Sequence, residues 1–243
     1  MPGSPFILVP PVTAPGSTQM EIDCQLLEAV TERYIPGVLR FYRCSPSCIT
    51  YGRFQNIDDF NTASLYQDGV DLVQRPSGGT AVFHGPGDLT YAFSCPIAHP
   101  IFGGSVEESS ARIHEVIRSA FDWLGIPTSS VGHMQTTRNR SSDCFAVPGS
   151  QEVVDVAGRK LVGSAQTRNA TSLLQHGIIP FDPSPISRYL KNDDAPADRS
   201  AVNLLAPFVS RDELEAQIAN SFAQALGQPC IVSSVLLADT LVP

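Results

Sequence analysis

Apolar residues along the chain alternate between two spacings. Three stretches repeat at three to four residues and predict amphipathic helices: Met20, Cys24, Leu27, Val30 and Tyr34; Ile113, Val116, Ile117, Ala120 and Leu124; and Leu214, Ile218, Phe222 and Leu226. Each opens on a capping-box spacing, Thr18 with Glu21, Ser105 with Glu108, and Ser210 with Glu213. Pro36-Gly37, Gly125-Ile126-Pro127 and Gly227 are their stop signals.

Between the helices, short apolar runs bounded by Gly, Pro and Ser predict strands at 38–43, 48–51, 70–74, 81–84, 89–94, 152–156, 160–164 and 173–179. A short helix is expected at 183–190 and a polar loop at 191–199. Residues 1–16 hold five prolines and little periodicity, so they are expected to form an irregular arm, with a single domain over 17–243. Residues 128–150 are Ser/Thr-rich and read as a long loop, a length that in compact domains usually serves function. The pattern is α+β, a mixed sheet with flanking helices rather than strict βαβ alternation.

Composition narrows the partners. The chain has 243 residues, 42% hydrophobic and 16% charged, with a formal net charge of −8. That balance describes a globular protein and argues against a duplex nucleic-acid binder, whose affinity rests on cationic contacts with phosphate. No apolar run approaches the ~20 residues of a membrane helix. The first basic residue is Arg33, so no secretory or transit leader is expected and the chain is expected in the cytoplasm. Of 16 basic residues only Lys160 and Lys191 are lysines. The six cysteines, at 24, 44, 48, 95, 144 and 230, contain no C-x-x-C pair, which points to reduced thiols and to no metal site.

Three segments stand out chemically. In Arg75-Pro-Ser77-Gly78-Gly79-Thr-Ala-Val-Phe-His84, paired glycines between strands allow a backbone to approach a ligand, and Arg75 and His84 flank them. The spacing matches neither a phosphate-binding P-loop nor a dinucleotide fingerprint, and a plain hairpin turn is the alternative. In Gly158-Arg-Lys160-Leu-Val-Gly163-Ser164-Ala165-Gln, small residues leave room beside a strand, and Gln175-His176-Gly177 follows. In Asp143-Cys144-Phe145-Ala-Val-Pro148 a cysteine sits in a polar loop, where a thiol near cations can act as a nucleophile. Cys24, Cys95 and Cys230 read as structural.

Taken together and in this order, these segments and Leu89-Thr-Tyr91 resemble the biotin/lipoate protein ligase and octanoyltransferase superfamily, over about residues 19–226. The resemblance implies a class II synthetase-like, biotin–lipoate ligase-like fold whose Gly-rich loop and lysine strand enclose an acyl pocket. Biotin ligases carry a more basic loop at this point. The LipB type places its cysteine at the position of Leu173, whereas the Cys144 segment resembles the LipM-type octanoyltransferases.

That branch implies octanoyl transfer from acyl carrier protein through a Cys144 thioester, with Lys160 donating to the carbonyl oxygen. The acceptor would be a lysine of a lipoyl-carrier domain, such as the glycine cleavage H protein or a 2-oxoacid dehydrogenase acyltransferase subunit. Arg75, Ser77, Gly78, Gly79, His84, Gly163, Ser164, Ala165, His176 and Gly177 would shape the substrate site. No cofactor is needed on this reading. ATP and Mg enter only under the alternative, a lipoate–protein ligase working through an acyl-adenylate. A non-catalytic carrier-binding module is the third reading. Carrier recognition is expected from a basic patch of Arg138, Arg140, Arg159 and Arg168.

Overall fold

Strand sequences with apolar side chains at nearly every position need cover on both faces, and the fold supplies it. The structure, a computed structural model, describes residues 5–32, 35–130, 142–146, 152–191 and 199–234. In chain order its first half contains β1 (Ile7–Ala14), α1 (Gly16–Glu32), β2 (Val38–Cys44), β3 (Cys48–Tyr51), α2 (Thr62–Asp68), β4 (Asp71–Gln74), β5 (Val82–His84) and β6 (Leu89–Pro96). The second half contains α3 (Val106–Trp123), β7 (Thr128–Ser130), β8 (Val153–Asp155), β9 (Gly163–Arg168), β10 (Ser172–Ile179), α4 (Val202–Leu205), α5 (Arg211–Leu226) and β11 (Ile231–Val232). Short 3-10 turns lie at Ile57–Asp59 and Ile186–Tyr189, the second within the helix expected at 183–190.

The main sheet runs β11-β1-β2-β6-β10-β9. Its β11–β1 and β1–β2 pairs are parallel and the rest antiparallel, so the fold is α+β with a mixed sheet. A three-stranded sheet, β4-β3-β5, and a β7–β8 pair accompany it. Strand period sorts the side chains. Leu39 and Phe41 of β2 and Leu89, Tyr91, Phe93 and Cys95 of β6 join one core with Ile113, Ile117 and Phe121 of α3 and Leu214, Ile218 and Phe222 of α5. Their neighbours Tyr42, Ala92 and Leu174 pack with Met20 and Leu27 of α1 on the opposite face.

The capping boxes at Ser105/Glu108 and Ser210/Glu213 form as expected, and Gly227 ends α5 in a left-handed conformation, φ 68°. Four expectations change. Residues 7–14 are not an irregular arm but β1, flanked by strands on both sides. The register of β1 shifts between Val9 and Val12, so Pro10 and Pro11 fall where the ladder is interrupted and no donor is missed. The first helix starts at Gly16, ahead of Thr18. The stretch expected as loop from 128 opens with β7, and β9 begins at Gly163, with Lys160 before it in an isolated bridge to Val154.

Candidate active site

Cys144 is held by strand-like pairing with the Gly-rich segment. Ala81 and Asp143 form a parallel bridge, in which Ala81 N donates to Ser142 O (2.7 Å) and Cys144 N donates to Ala81 O (2.9 Å). The Asp143 side chain is buried. Its Oδ1 accepts from Phe145 N (3.0 Å) and its Oδ2 is paired with the Arg199 guanidinium. Lys160 comes from the turn after β8, fixed by its bridge to Val154. Its Nζ donates to Cys144 Sγ (3.2 Å) and to Glu152 Oε1 (2.7 Å), with the Phe145 ring centroid at 5.8 Å.

Lys160 is only 4% exposed. Burial alone would lower its pKa, but the Cys144 sulfur and the Glu152 carboxylate outweigh burial and hold the ammonium above the ordinary lysine value.

The cleft beside Cys144 has about 320 Å³ of empty space, mouth included. It lies between the α1-facing side of the main sheet and the small sheet. Tyr42, Thr90, His176 and Ile178 contribute from the main sheet, Met20 from α1, and Thr50, Val82 and His84 from the small sheet. Of the residues expected from sequence, Arg75, His84, Cys144, Gly163, Ser164, Ala165, His176 and Gly177 line it. Ser77, Gly78 and Gly79 stand behind it instead, because they are tied to Arg75. The buried guanidinium donates to Ser77 Oγ (3.1 Å), Thr50 O (3.0 Å), Gly78 O (2.6 Å) and Thr80 O (2.8 Å). Burial lowers the pKa of Arg75 despite the nearby Cys144.

Gly79 takes φ 85°, and a Cβ on Gly52 would meet Gly79 O at 1.9 Å. The close backbone approach in this loop is therefore to residue 52. Gly163 has a different reason to lack a side chain, since a Cβ there would meet the Phe145 ring at 2.7 Å and lie 3.6 Å from Cys144 Sγ.

Two histidines are fixed by hydrogen bonds on both ring nitrogens. His176 Nε2 meets Ser77 Oγ (2.6 Å) and its Nδ1 meets Asp23 Oδ2 (2.9 Å), joining β10 to the Gly-rich loop and to α1. Tyr42 OH donates to the same Asp23 oxygen (3.0 Å). His84 bonds Thr50 Oγ1 (2.9 Å) and Thr90 Oγ1 (3.1 Å). Burial, with Arg75 and His176 adding to it, lowers the pKa of His84 to about 3, so it lines the cleft as a neutral ring. Ser164 Oγ is held by Tyr91 OH (2.8 Å) and His114 Nε2 (2.9 Å).

Sequence reasoning passed over Glu152, Asp23, Asp143 and Arg199 as individual groups. Asp23 carried a usable signal, a carboxylate between Ile22 and Leu26 on a buried helix face. The expected arginine patch changes character. Arg138 and Arg140 lie outside the described residues. Arg159 pairs with Asp155 (2.7 Å), and Arg168 donates to Gln166 Oε1, Gly104 O and Ser109 Oγ (2.7 Å each). Cys44, Cys48 and Cys95 are buried, and Cys24 and Cys230 partly so. Among the described residues no cluster of His, Cys, Asp or Glu is placed to hold a metal, and no helix is long and apolar enough to cross a membrane.

This arrangement can be set beside known proteins. The octanoyltransferase LipM of Bacillus subtilis is 38% identical over 170 residues, 67% of this chain and 60% of that protein. The LipM of Carboxydothermus hydrogenoformans is 35% identical over 179 residues, 72% of this chain and 65% of that protein. The chain thus spans somewhat under two thirds of the length of these relatives. In fold it is similar to a bipartite lipoate protein ligase from Thermoplasma acidophilum, described together with its lipoyl domain. That likeness has a TM-score of 0.71 at 20% identity and covers 98% of this chain and 90% of that one. The family model of the lipoyl protein ligase A/B catalytic domain matches residues 15–226, and the chain belongs to that family.

Proposed function

We propose that the protein is an octanoyltransferase that carries an octanoyl group from acyl carrier protein to a lysine of a lipoyl-carrier domain in the cytoplasm. The acceptor would be the glycine cleavage H protein or a 2-oxoacid dehydrogenase acyltransferase subunit. The observation that carries this reading is the 3.2 Å contact between Lys160 Nζ and Cys144 Sγ at the edge of the cleft. Similarity to the two LipM proteins supports it.

Cys144 sulfur attacks the donor thioester carbonyl. A new carbon–sulfur bond forms, the bond to the carrier sulfur breaks, and the carrier leaves. The neutral amine of the acceptor lysine then attacks the Cys144 thioester, and an amide forms as the Cys144 sulfur departs. One proton lost by the amine balances the one gained by the carrier thiol, through solvent. Exchange between thioesters is nearly isoenergetic and the amide is more stable, so no ATP is consumed on this reading.

In both steps negative charge grows on the carbonyl oxygen. An ammonium donor there is worth about 3–4 kcal/mol. Burying the acyl tail adds about 0.8 kcal/mol per methylene before ordering costs.

Intact mass spectrometry after incubation with octanoyl carrier protein, without acceptor, tests the reading. One octanoyl adduct is expected, removable by hydroxylamine and absent in Cys144→Ala. Activity that appears only with ATP and free acid would replace it with the ligase reading. No transfer under either condition would leave a carrier-binding module.

A further inference from the structure

One buried cation, Lys160, faces both a sulfur and a carboxylate, and the proposed reaction turns the sulfur into a thioester midway. Before acylation Lys160 Nζ faces the Cys144 sulfur at 3.2 Å and Glu152 Oε1 at 2.7 Å. When Cys144 carries an acyl group its sulfur is a neutral thioester and no longer offsets the ammonium. At 4% exposure Lys160 has little water to replace it. A buried lysine without a counter-charge is driven toward the neutral amine, by up to 3–5 pH units for a fully buried group. A neutral amine is a poor donor to a developing oxyanion. Glu152 persists through acylation, because it is not a reactant.

We infer that Glu152 is a positioning residue for the second half of the reaction, the counter-ion that keeps Lys160 charged and aimed at the carbonyl oxygen while Cys144 is acylated. This rests on the thioester reading above and adds to it a division of labour between the steps. During acylation the Cys144 sulfur and Glu152 share the work, so loss of Glu152 is partly covered. During transfer to the acceptor amine Glu152 carries it.

The geometry suits the role. Glu152 immediately precedes β8, and β8 is bridged to Lys160 through Val154, so carboxylate and ammonium are set on one short framework. Of the three ammonium N–H groups, the described residues engage one with Glu152 and one with Cys144. Once the sulfur is acylated, the Glu152 bond still fixes the direction of the remaining donors. Among the described residues, the titratable and charged groups near this set include Tyr91, on which both Glu152 and Lys160 act, Arg75, on which Cys144 acts, and the Asp143–Arg199 pair next to Cys144. Tyr91 is pushed up to about 12, chiefly by burial, so it does not change charge near neutral pH, and burial lowers the pKa of Arg75.

The test separates the half-reactions in Glu152→Gln and in the unaltered protein. Acylation by octanoyl carrier protein is followed by intact mass. Transfer is followed by adding a lipoyl domain to isolated acyl-enzyme in a single turnover, between pH 6 and pH 9. The expected result is that acylation falls by less than about 3-fold while transfer falls about 10-fold or more near pH 8, the factor of one displaced pH unit.

Titration of the acceptor amine cancels in the ratio of variant to unaltered transfer rates. That ratio is expected to approach one at pH 6 and to fall as pH rises, because Lys160 loses its proton earlier without Glu152. Acylation of the same preparation reports whether the variant is folded. Equal slowing of both steps, slowing of acylation alone, a pH-independent ratio, or faster transfer would each overturn the inference. Faster transfer would make neutral Lys160 a base. If the unaltered protein forms no acyl adduct, the thioester reading itself has failed.

Discussion

Asp143 and Arg199, 56 positions apart in the chain, form a buried ion pair beside the candidate nucleophile. One oxygen of that carboxylate meets Arg199 and the other accepts from Phe145 N, so the residues on both sides of Cys144 are braced by a single side chain. The ion pair thus acts on the chemistry through the backbone rather than by touching the sulfur.

Removing one partner from a buried pair is expensive, about 3–5 kcal/mol, because the other charge stays in the interior. Arg199→Ala is expected to lose stability in that range, read from urea unfolding. In buffer where the variant is still folded, the acyl adduct on Cys144 should form at least ~10-fold more slowly, since a small displacement of a reacting atom is costly. A variant as stable and as readily acylated as the parent would show that the pair does not brace the cysteine.

Gly163→Ala places a methyl group 2.7 Å from the Phe145 ring and 3.6 Å from Cys144 Sγ. The ring must swing away, and with it part of the cover over Lys160. Fitting an extra methyl into a packed site costs about 1–3 kcal/mol. The melting temperature should drop modestly while single-turnover acylation falls by about 10-fold. Unchanged acylation would mean that the ring moves without consequence for the thiol.

His84 makes acid stability specific. In the unfolded chain it takes a proton below about 6.5, whereas in the fold it stays neutral to about 3. Across that window the unfolded chain binds the extra proton, so stability falls as pH drops, by up to about 1.4 kcal/mol per pH unit. Asp88 acts in the opposite sense. Burial raises it to about 6, against hydrogen bonds from Gly85 N and Phe181 N that lower it, so the fold takes that proton first and gains stability between about 6 and 4. The His84 window is wider, and the balance of the two is a loss toward acid. His84→Gln should therefore lose less stability than the parent between pH 6.5 and pH 4, measured as the shift in urea midpoint. An identical shift in both proteins would remove His84 from the account.

Arg168 was expected to meet the carrier, yet it spans from β9 to the start of α3 through Gly104 O and Ser109 Oγ. Arg168→Ala is expected to cost about 1–2 kcal/mol, discounted for its exposure, while leaving the carrier KM within about 2-fold. A large rise in KM with unchanged stability would restore it to the docking surface.

Local signals were the legible ones. Ser105 with Glu108 and Ser210 with Glu213 act across three residues, so the sequence displays the whole interaction. The apolar runs of β2, β6 and β10 were equally plain, being covered on both faces. β1 was hidden because Pro10-Pro11 ordinarily rules out an internal strand, and only the register shift after Val9 accommodates them.

In the site, Cys144, Lys160 and the cleft-lining glycines were marked by motif. Their supports were not. Glu152 sits in what reads as an ordinary strand, and Arg199 at the end of an expected polar loop. Asp23 finds His176 across 153 positions. Glu152 lies only eight positions from Lys160, yet no motif marks the pair, while no short window of sequence contains both members of the Asp143–Arg199 or Asp23–His176 pairs; the Arg75 ties that draw Ser77 and Gly78 back from the cleft are likewise invisible before the loop is folded.

The same long separations bear on how the protein is made. The Ser77–His176 bond spans 99 positions, Asp23–His176 spans 153, and the brace on Cys144 waits for Arg199. Contacts so distant in sequence form late, after the local helices and hairpins, because the intervening chain must first be closed. On a ribosome the thiol at 144 leaves the exit tunnel well before its brace does. A half-made chain therefore exposes Cys144 before the segment that braces it has been made.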